Sequence, residues 1–182
     1  MSENKAASRY AKSLIDLSTE RNALEEIKND MVLLEQVINQ NSELEAILKN
    51  PIVPLDKKAG ILENVFGSKV NEVTRAFFKL LVNKGRSAII FDITKAFISQ
   101  YNVLKGIVTA DVTTATELTA ESRAEIIAIV KKESGANQVV IKEKVNDKLI
   151  GGFILKVGDR QFDASIASSL SKLKKEFAQG IV

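Results

Sequence analysis

The chain has 182 residues, 45% of them apolar and 27% charged, which describes a globular protein and excludes a disordered one. It contains no Cys and no His, so disulfides are impossible, zinc loses its two preferred ligand types, and acid–base chemistry would fall to carboxylates, Lys or Tyr. Lys and Arg outnumber Asp and Glu by 26 to 23, but residues 1–105 carry 15 basic and 13 acidic side chains and residues 106–182 carry 11 and 10, so no one-signed patch stands out for nucleic acid.

The N-terminal half has helical grammar throughout. Ala7, Tyr10, Ala11, Leu14 and Leu17 fall on one face of a first helix. Leu24, Ile27, Met31, Leu34 and Ile38 repeat the pattern in a second. In "NSELEAILKNP", Ser42 followed by Glu45 predicts a capping box and a short third helix stopped by Pro51. Pro54 is placed in the first turn of a fourth, whose apolar face is Ile61, Leu62, Val65 and Phe66, with Gly67 set for a left-handed stop. Val70, Val73, Phe77, Leu80 and Leu81 mark a fifth helix closing near Gly85. Ile90, Ile93, Phe97, Tyr101 and Leu104 mark a sixth, ending before Gly106.

The period changes at Gly106. "GIVTADVTTA" alternates and is rich in β-branched residues, as a strand should be. A helix follows, with Thr119 as N-cap, acids early, lysines late and Gly135 as its stop. "NQVVIKEKV" is a second strand with Val139, Ile141 and Val145 on one face. Asn146-Asp147 is a turn, "KLIGGFILKV" a third strand, Gly158-Asp159 another turn, and "RQF" a short fourth strand. Ile166, Leu170, Leu173 and Phe177 line a last helix. The expected fold is α+β overall: an N-terminal all-α six-helix bundle over residues 1–105, then a small mixed α/β domain over residues 106–182.

No apolar run reaches the roughly 18–20 residues that span a bilayer. "FFKLLVNKGRSAIIFDI" is broken by Lys79 and by Lys84 to Arg86, and "MSENKAASRYAKSL" lacks the apolar centre of a secretory leader. A cytosolic location is expected, with any membrane association made through partners.

Gly151-Gly152 invites a phosphate-binding reading, but Phe153 follows the pair and neither the P-loop nor the dinucleotide spacing is present. The glycines lie within the strand pattern, where they mark a bulge or a close backbone approach. Asp163, two positions before Ser165, reads as an N-cap accepting N–H bonds from Ser165 or Ile166. A catalytic role would need a second acid beside it. Asp147 and Asp159 are the nearest, and both sit in turns. No cofactor site is expected.

Four stretches, "SRYAKSLIDLSTE", "LKNPIVPLDKKAGILENVFG", "LLVNKGRSAII" and "LIGGFILKVGDRQFDASIASSLSKL", together resemble the delta subunit of bacterial F-type ATP synthases, whose mitochondrial counterpart is the oligomycin-sensitivity-conferring protein. The resemblance covers the whole chain. The chain departs from it in having Asn146-Asp147 before "LIGG", and Ala167 and Ser169 where arginines are common. The resemblance implies a non-catalytic stator piece that forms one subunit of a hetero-oligomer at the cytoplasmic face of the bacterial plasma membrane. The bundle would receive N-terminal helices of alpha subunits, and the second domain would engage the b subunit of the peripheral stalk. It implies no cofactor, no nucleic acid and no direct membrane insertion. The implied groove lies between the first and fifth helices, with Tyr10, Ser13, Leu14 and Leu17 facing Phe77, Phe78 and Leu81. Each of these residues can equally be bundle core. A nucleic-acid-binding accessory protein is the alternative, and a carboxylate-dependent enzyme a third possibility for which no acid pair is offered.

Overall fold

The computed structural model describes residues 3–147 and 149–179. The chain adopts the expected α+β class and separates into two compact units, Met1–Asn102 and Val103–Val182.

The first unit contains helices α1 (Glu3–Glu20), α2 (Leu24–Gln40), α3 (Ser42–Lys49), α4 (Leu55–Phe66), α5 (Glu72–Asn83) and α6 (Ile90–Lys105) up to Asn102, with a 3-10 turn at Ser87–Ile89 before α6. Helix α2 packs against α1, α3 and α5, and α4 packs against α5. The core is built from Leu14, Ile27, Met31, Leu34, Ile38, Phe66, Leu81, Ile93 and Phe97. Phe78 meets Phe66 edge-on at 6.1 Å between ring centroids. Helix stops follow backbone need. At Gly85, φ is +67°, and the Gly85 and Arg86 N–H groups donate to Val82 O and Leu81 O at 2.9 and 2.8 Å, closing α5 in a Schellman motif. Asn22, with φ +54°, does the same for α1.

Several local expectations are corrected. The capping box does not form: Ser42 is the first helical residue of α3, and Asn41 precedes it. The Asn41 amide donates instead to Val37 O at 3.0 Å, so the residue serves the end of α2. Pro54 is the residue before α4 rather than within its first turn. Gly67 is right-handed, at φ −52°; its carbonyl accepts from the Arg75 guanidinium.

The faces of α1 and α5 are also turned. On α1 the buried row is Ala7, Ala11, Leu14 and Ser18, while Leu17 is exposed. Ser18 is tolerated inside because its hydroxyl donates to Leu14 O. On α5 the buried row is Thr74, Phe78, Leu81 and Val82; Phe77 is half-buried and Leu80 exposed. The cause is polar. Buried Asp30 of α2 accepts from Asn71 N–H at 2.9 Å and from the Thr74 hydroxyl at 2.6 Å, at the N-terminus of α5. Asn71 caps the same turn by accepting from Val73 N–H at 2.9 Å. A second buried polar knot joins α4 to its neighbours: Lys58 Nζ donates to Leu48 O at 2.8 Å and to the Ser87 hydroxyl at 3.0 Å.

Buried Tyr101 of α6 donates to Glu25 Oε2 on α2 at 2.7 Å. Burial, then the hydrogen bond to Glu25, then its charge, push the phenol up from 10.0 to about 12. The folded value lies above the unfolded one, so the contribution to stability is complete below pH 10 and disappears as pH rises to about 12. Denaturant midpoints measured across that window should fall more steeply for the native chain than for Tyr101→Phe; equal slopes would mean the phenol ionises freely.

The second unit contains β1 (Ile107–Thr114), α7 (Ala120–Ser134), β2 (Gln138–Val145), β3 (Phe153–Val157), β4 (Arg160–Asp163) and α8 (Ile166–Gln179). The sheet order is β2-β1-β3-β4, with β1 parallel to β2 and the other pairs antiparallel. Thr119 caps α7, accepting from Ser122 N–H at 3.2 Å, and Gly135 at φ +64° ends it. Ala110, Val112 and Leu155 of the sheet and Ile126 and Val130 of α7 form the core. Val139 and Ile141 pack against it, whereas Val145, at the strand's end, is exposed. The Gly151-Gly152 pair precedes β3 instead of lying inside it. Lys148, expected to open that strand, lies outside the described residues. The spacing of Ile166, Leu170, Leu173 and Phe177 holds along α8, yet all four side chains are exposed.

Candidate partner-binding site

On the first unit, Ala6, Arg9, Tyr10 and Ser13 of α1 line an open cleft of about 290 Å³ together with Arg86, the residue that follows the glycine stop of α5. Two of the seven residues named for the groove, Tyr10 and Ser13, are therefore on one wall, and the end of α5 supplies the other. Leu17 lies further along α1 and is exposed, and Phe77 is half-buried. Leu14, Phe78 and Leu81 are 1%, 4% and 0% exposed, so an approaching molecule would not reach them directly. Ser13 donates its hydroxyl to Arg9 O at 3.0 Å, within α1. Arg9 and Arg86 were not picked out from the sequence, because a lone arginine on a helix flank looks like solvated surface. The available sign was the position of Arg86 directly after a helix-stopping glycine.

On the second unit, the glycine pair and Asp163 meet at one junction. Gly152 has φ +79°, and a Cβ there would sit 2.3 Å from Ala164 O. The Gly151 carbonyl accepts from Ile166 N–H at 3.1 Å, the first residue of α8. Asp163 accepts from Ser165 N–H at 2.9 Å and from the Ser168 hydroxyl at 2.6 Å, and the Ser165 hydroxyl accepts from Ser168 N–H at 3.3 Å. The capping residue proper is thus Ser165, with Asp163 bracing it. These groups spend their hydrogen bonds on launching α8.

Beside this junction, Leu118, Ile126, Ile129, Ile150 and Phe153 help line a cleft of about 370 Å³. Another of about 380 Å³ runs past Ile129, Val157 and Phe162. Among the described residues, no group of three or more Asp or Glu side chains is placed to hold a metal ion.

The fold and these surfaces define a class: a two-unit α+β protein, helical bundle first and mixed four-stranded sheet second, with open clefts along its helix flanks. The chain belongs to the ATP synthase delta (OSCP) subunit family, whose description matches residues 6–177. It is 42% identical over 182 residues to ATP synthase subunit delta of Cytophaga hutchinsonii, covering 100% of this chain and 99% of the relative. It is 41% identical to the protein of the same description from Flavobacterium psychrophilum, covering 98% and 99% of the two chains. Among solved structures, a chain of the Toxoplasma gondii mitochondrial ATP synthase hexamer shares the fold at a TM-score of 0.73, with 19% identity and 94% and 97% coverage. Among the described residues, no helix is long and apolar enough to cross a membrane.

Proposed function

We propose that this chain is a non-catalytic stator subunit of an F-type ATP synthase, linking the catalytic alpha/beta head to the peripheral stalk. The observation that carries this reading is family membership across residues 6–177, both units included. Residues 1–105 receive N-terminal helices of alpha subunits, and residues 106–182 engage the b subunit. The chain acts as a single copy in a hetero-oligomer, bound peripherally at the cytoplasmic face of the bacterial plasma membrane and requiring no cofactor. Its mechanical task is to keep the head from turning with the rotor, so it must hold two partners at once and release them slowly. Helix-in-groove binding suits the bundle, since apolar anchors at helical spacing on a partner fit between helix flanks.

Of the groove residues, Leu17 makes the cleanest probe. It is exposed, so a charge there is solvated in the free chain, whereas a charge at buried Leu14 would attack the bundle itself. Leu17→Asp should weaken binding to a delta-depleted alpha/beta head by roughly tenfold or more, with an unchanged melting temperature. Unchanged affinity, measured by titration of the head, would remove Leu17 from the interface. Failure of the native chain to bind any ATP synthase head would remove the function.

A further inference from the structure

Resting on that function, we propose that the α1 cleft is a carboxylate receptor: Arg9 and Arg86 together take an Asp or Glu side chain presented by the partner's helix. The two arginines come from distant parts of the sequence and converge on one cleft. Among the described residues neither guanidinium has an ion-pair or hydrogen-bond partner. Two other arginines of the chain are paired, Arg75 with Glu63 at 3.6 Å and Arg123 with Glu143, so what marks Arg9 and Arg86 is that both line one cleft. Two like charges lining one recess repel each other, and an anion between them turns repulsion into attraction on both sides. The planar guanidinium fork matches a carboxylate in particular. The neighbouring groups agree with an anionic guest. Tyr10 supplies a half-buried ring with a phenol that can donate to it, whereas the Ser13 hydroxyl proton is committed to Arg9 O and adds no donor. Among the described residues, no acidic side chain lines the cleft.

The apolar continuation of the same helix face defines the kind of partner. Arg9, Ser13 and Leu17 follow one another at steps of four on α1, so the charged recess lies about 12 Å from exposed Leu17 at 1.5 Å per residue. A free phosphate would use only the charged end. An amphipathic helix uses both, with an Asp or Glu about two turns from an apolar anchor.

The test uses the full chain and a delta-depleted alpha/beta head as probe. Arg9→Gln/Arg86→Gln should weaken binding by roughly 10- to 100-fold and flatten the loss of affinity between roughly 0.05 and 0.5 M salt. Arg9→Lys/Arg86→Lys should recover the salt dependence but only part of the affinity, since an ammonium lacks the fork. Circular dichroism of each variant should match the native chain, because both positions are exposed. If the glutamine pair binds with native affinity and native salt dependence while Leu17→Asp weakens binding, the carboxylate receptor is overturned and the docking function stands. If the native chain does not bind the head, the function falls and the receptor with it.

Discussion

Gly152→Ala should release α8 and strip protection from the edge of the second unit while leaving the bundle intact. The cost has two sources. At φ +79° an L side chain is strained by about 1–2 kcal/mol. The added Cβ would also lie 2.3 Å from Ala164 O and 2.9 Å from Ser165 Cα, and both neighbours are backbone, which cannot rotate aside. Moving that backbone breaks the bonds from Ala164 N–H to Phe153 O and from Ile166 N–H to Gly151 O, at 3.0 and 3.1 Å. The sum is roughly 3 kcal/mol or more, at the large end for a single methyl group. Gly158→Ala is the matched control: its φ is +57° but nothing lies within 4 Å of the added carbon, so only the strain of about 1 kcal/mol remains. Amide hydrogen exchange can separate the two. In Gly152→Ala, protection should fall across β3, β4 and the start of α8 while α2 and α5 keep theirs. Equal behaviour of the two variants would show that the close approach at Ala164 relaxes freely.

Asp30→Ala should be the most damaging polar truncation in the bundle. Asp30 is 7% exposed and its Oδ2 accepts from both Asn71 N–H and the Thr74 hydroxyl. Alanine leaves both donors without that acceptor, removes a negative charge from the positive end of α5, and opens a small cavity. Together these cost roughly 3 kcal/mol. Urea midpoints would register the loss as a shift without a change in slope if the native state is otherwise kept. Adding Thr74→Val should return part of the stability, because it removes one of the orphaned donors. A double variant no better than the single one would mean that the damage comes through Asn71 and the helix end alone.

The sequence was most informative where a single physical demand ruled a residue. Gly85 and Gly135 stop helices because the chain must turn left-handed there, and Thr119 opens α7 because its hydroxyl can reach Ser122 N–H. The element order β-α-β-β-β-α was readable from period and turn residues, but the sheet order was not. Nor was helix rotation. Apolar counting put Phe77 and Leu80 on the inner face of α5, but Asp30 on another helix holds Thr74 inward, and a pairing across 44 positions leaves no local trace. Lys58 misleads in the same way: it continues the inward row of Leu62 and Phe66, and only Leu48 O and Ser87 explain why an ammonium is allowed there. Of the residues lining the α1 cleft, Tyr10 and Ser13 are among those the resemblance implied for a groove, whereas the meeting of Arg9 with Arg86 at that cleft exists only after folding.

The bare row of Ile166, Leu170, Leu173 and Phe177 along α8 sets a limit on how this chain can be stored. An exposed apolar stripe of this kind favours self-association of the free chain at high concentration until another surface covers it.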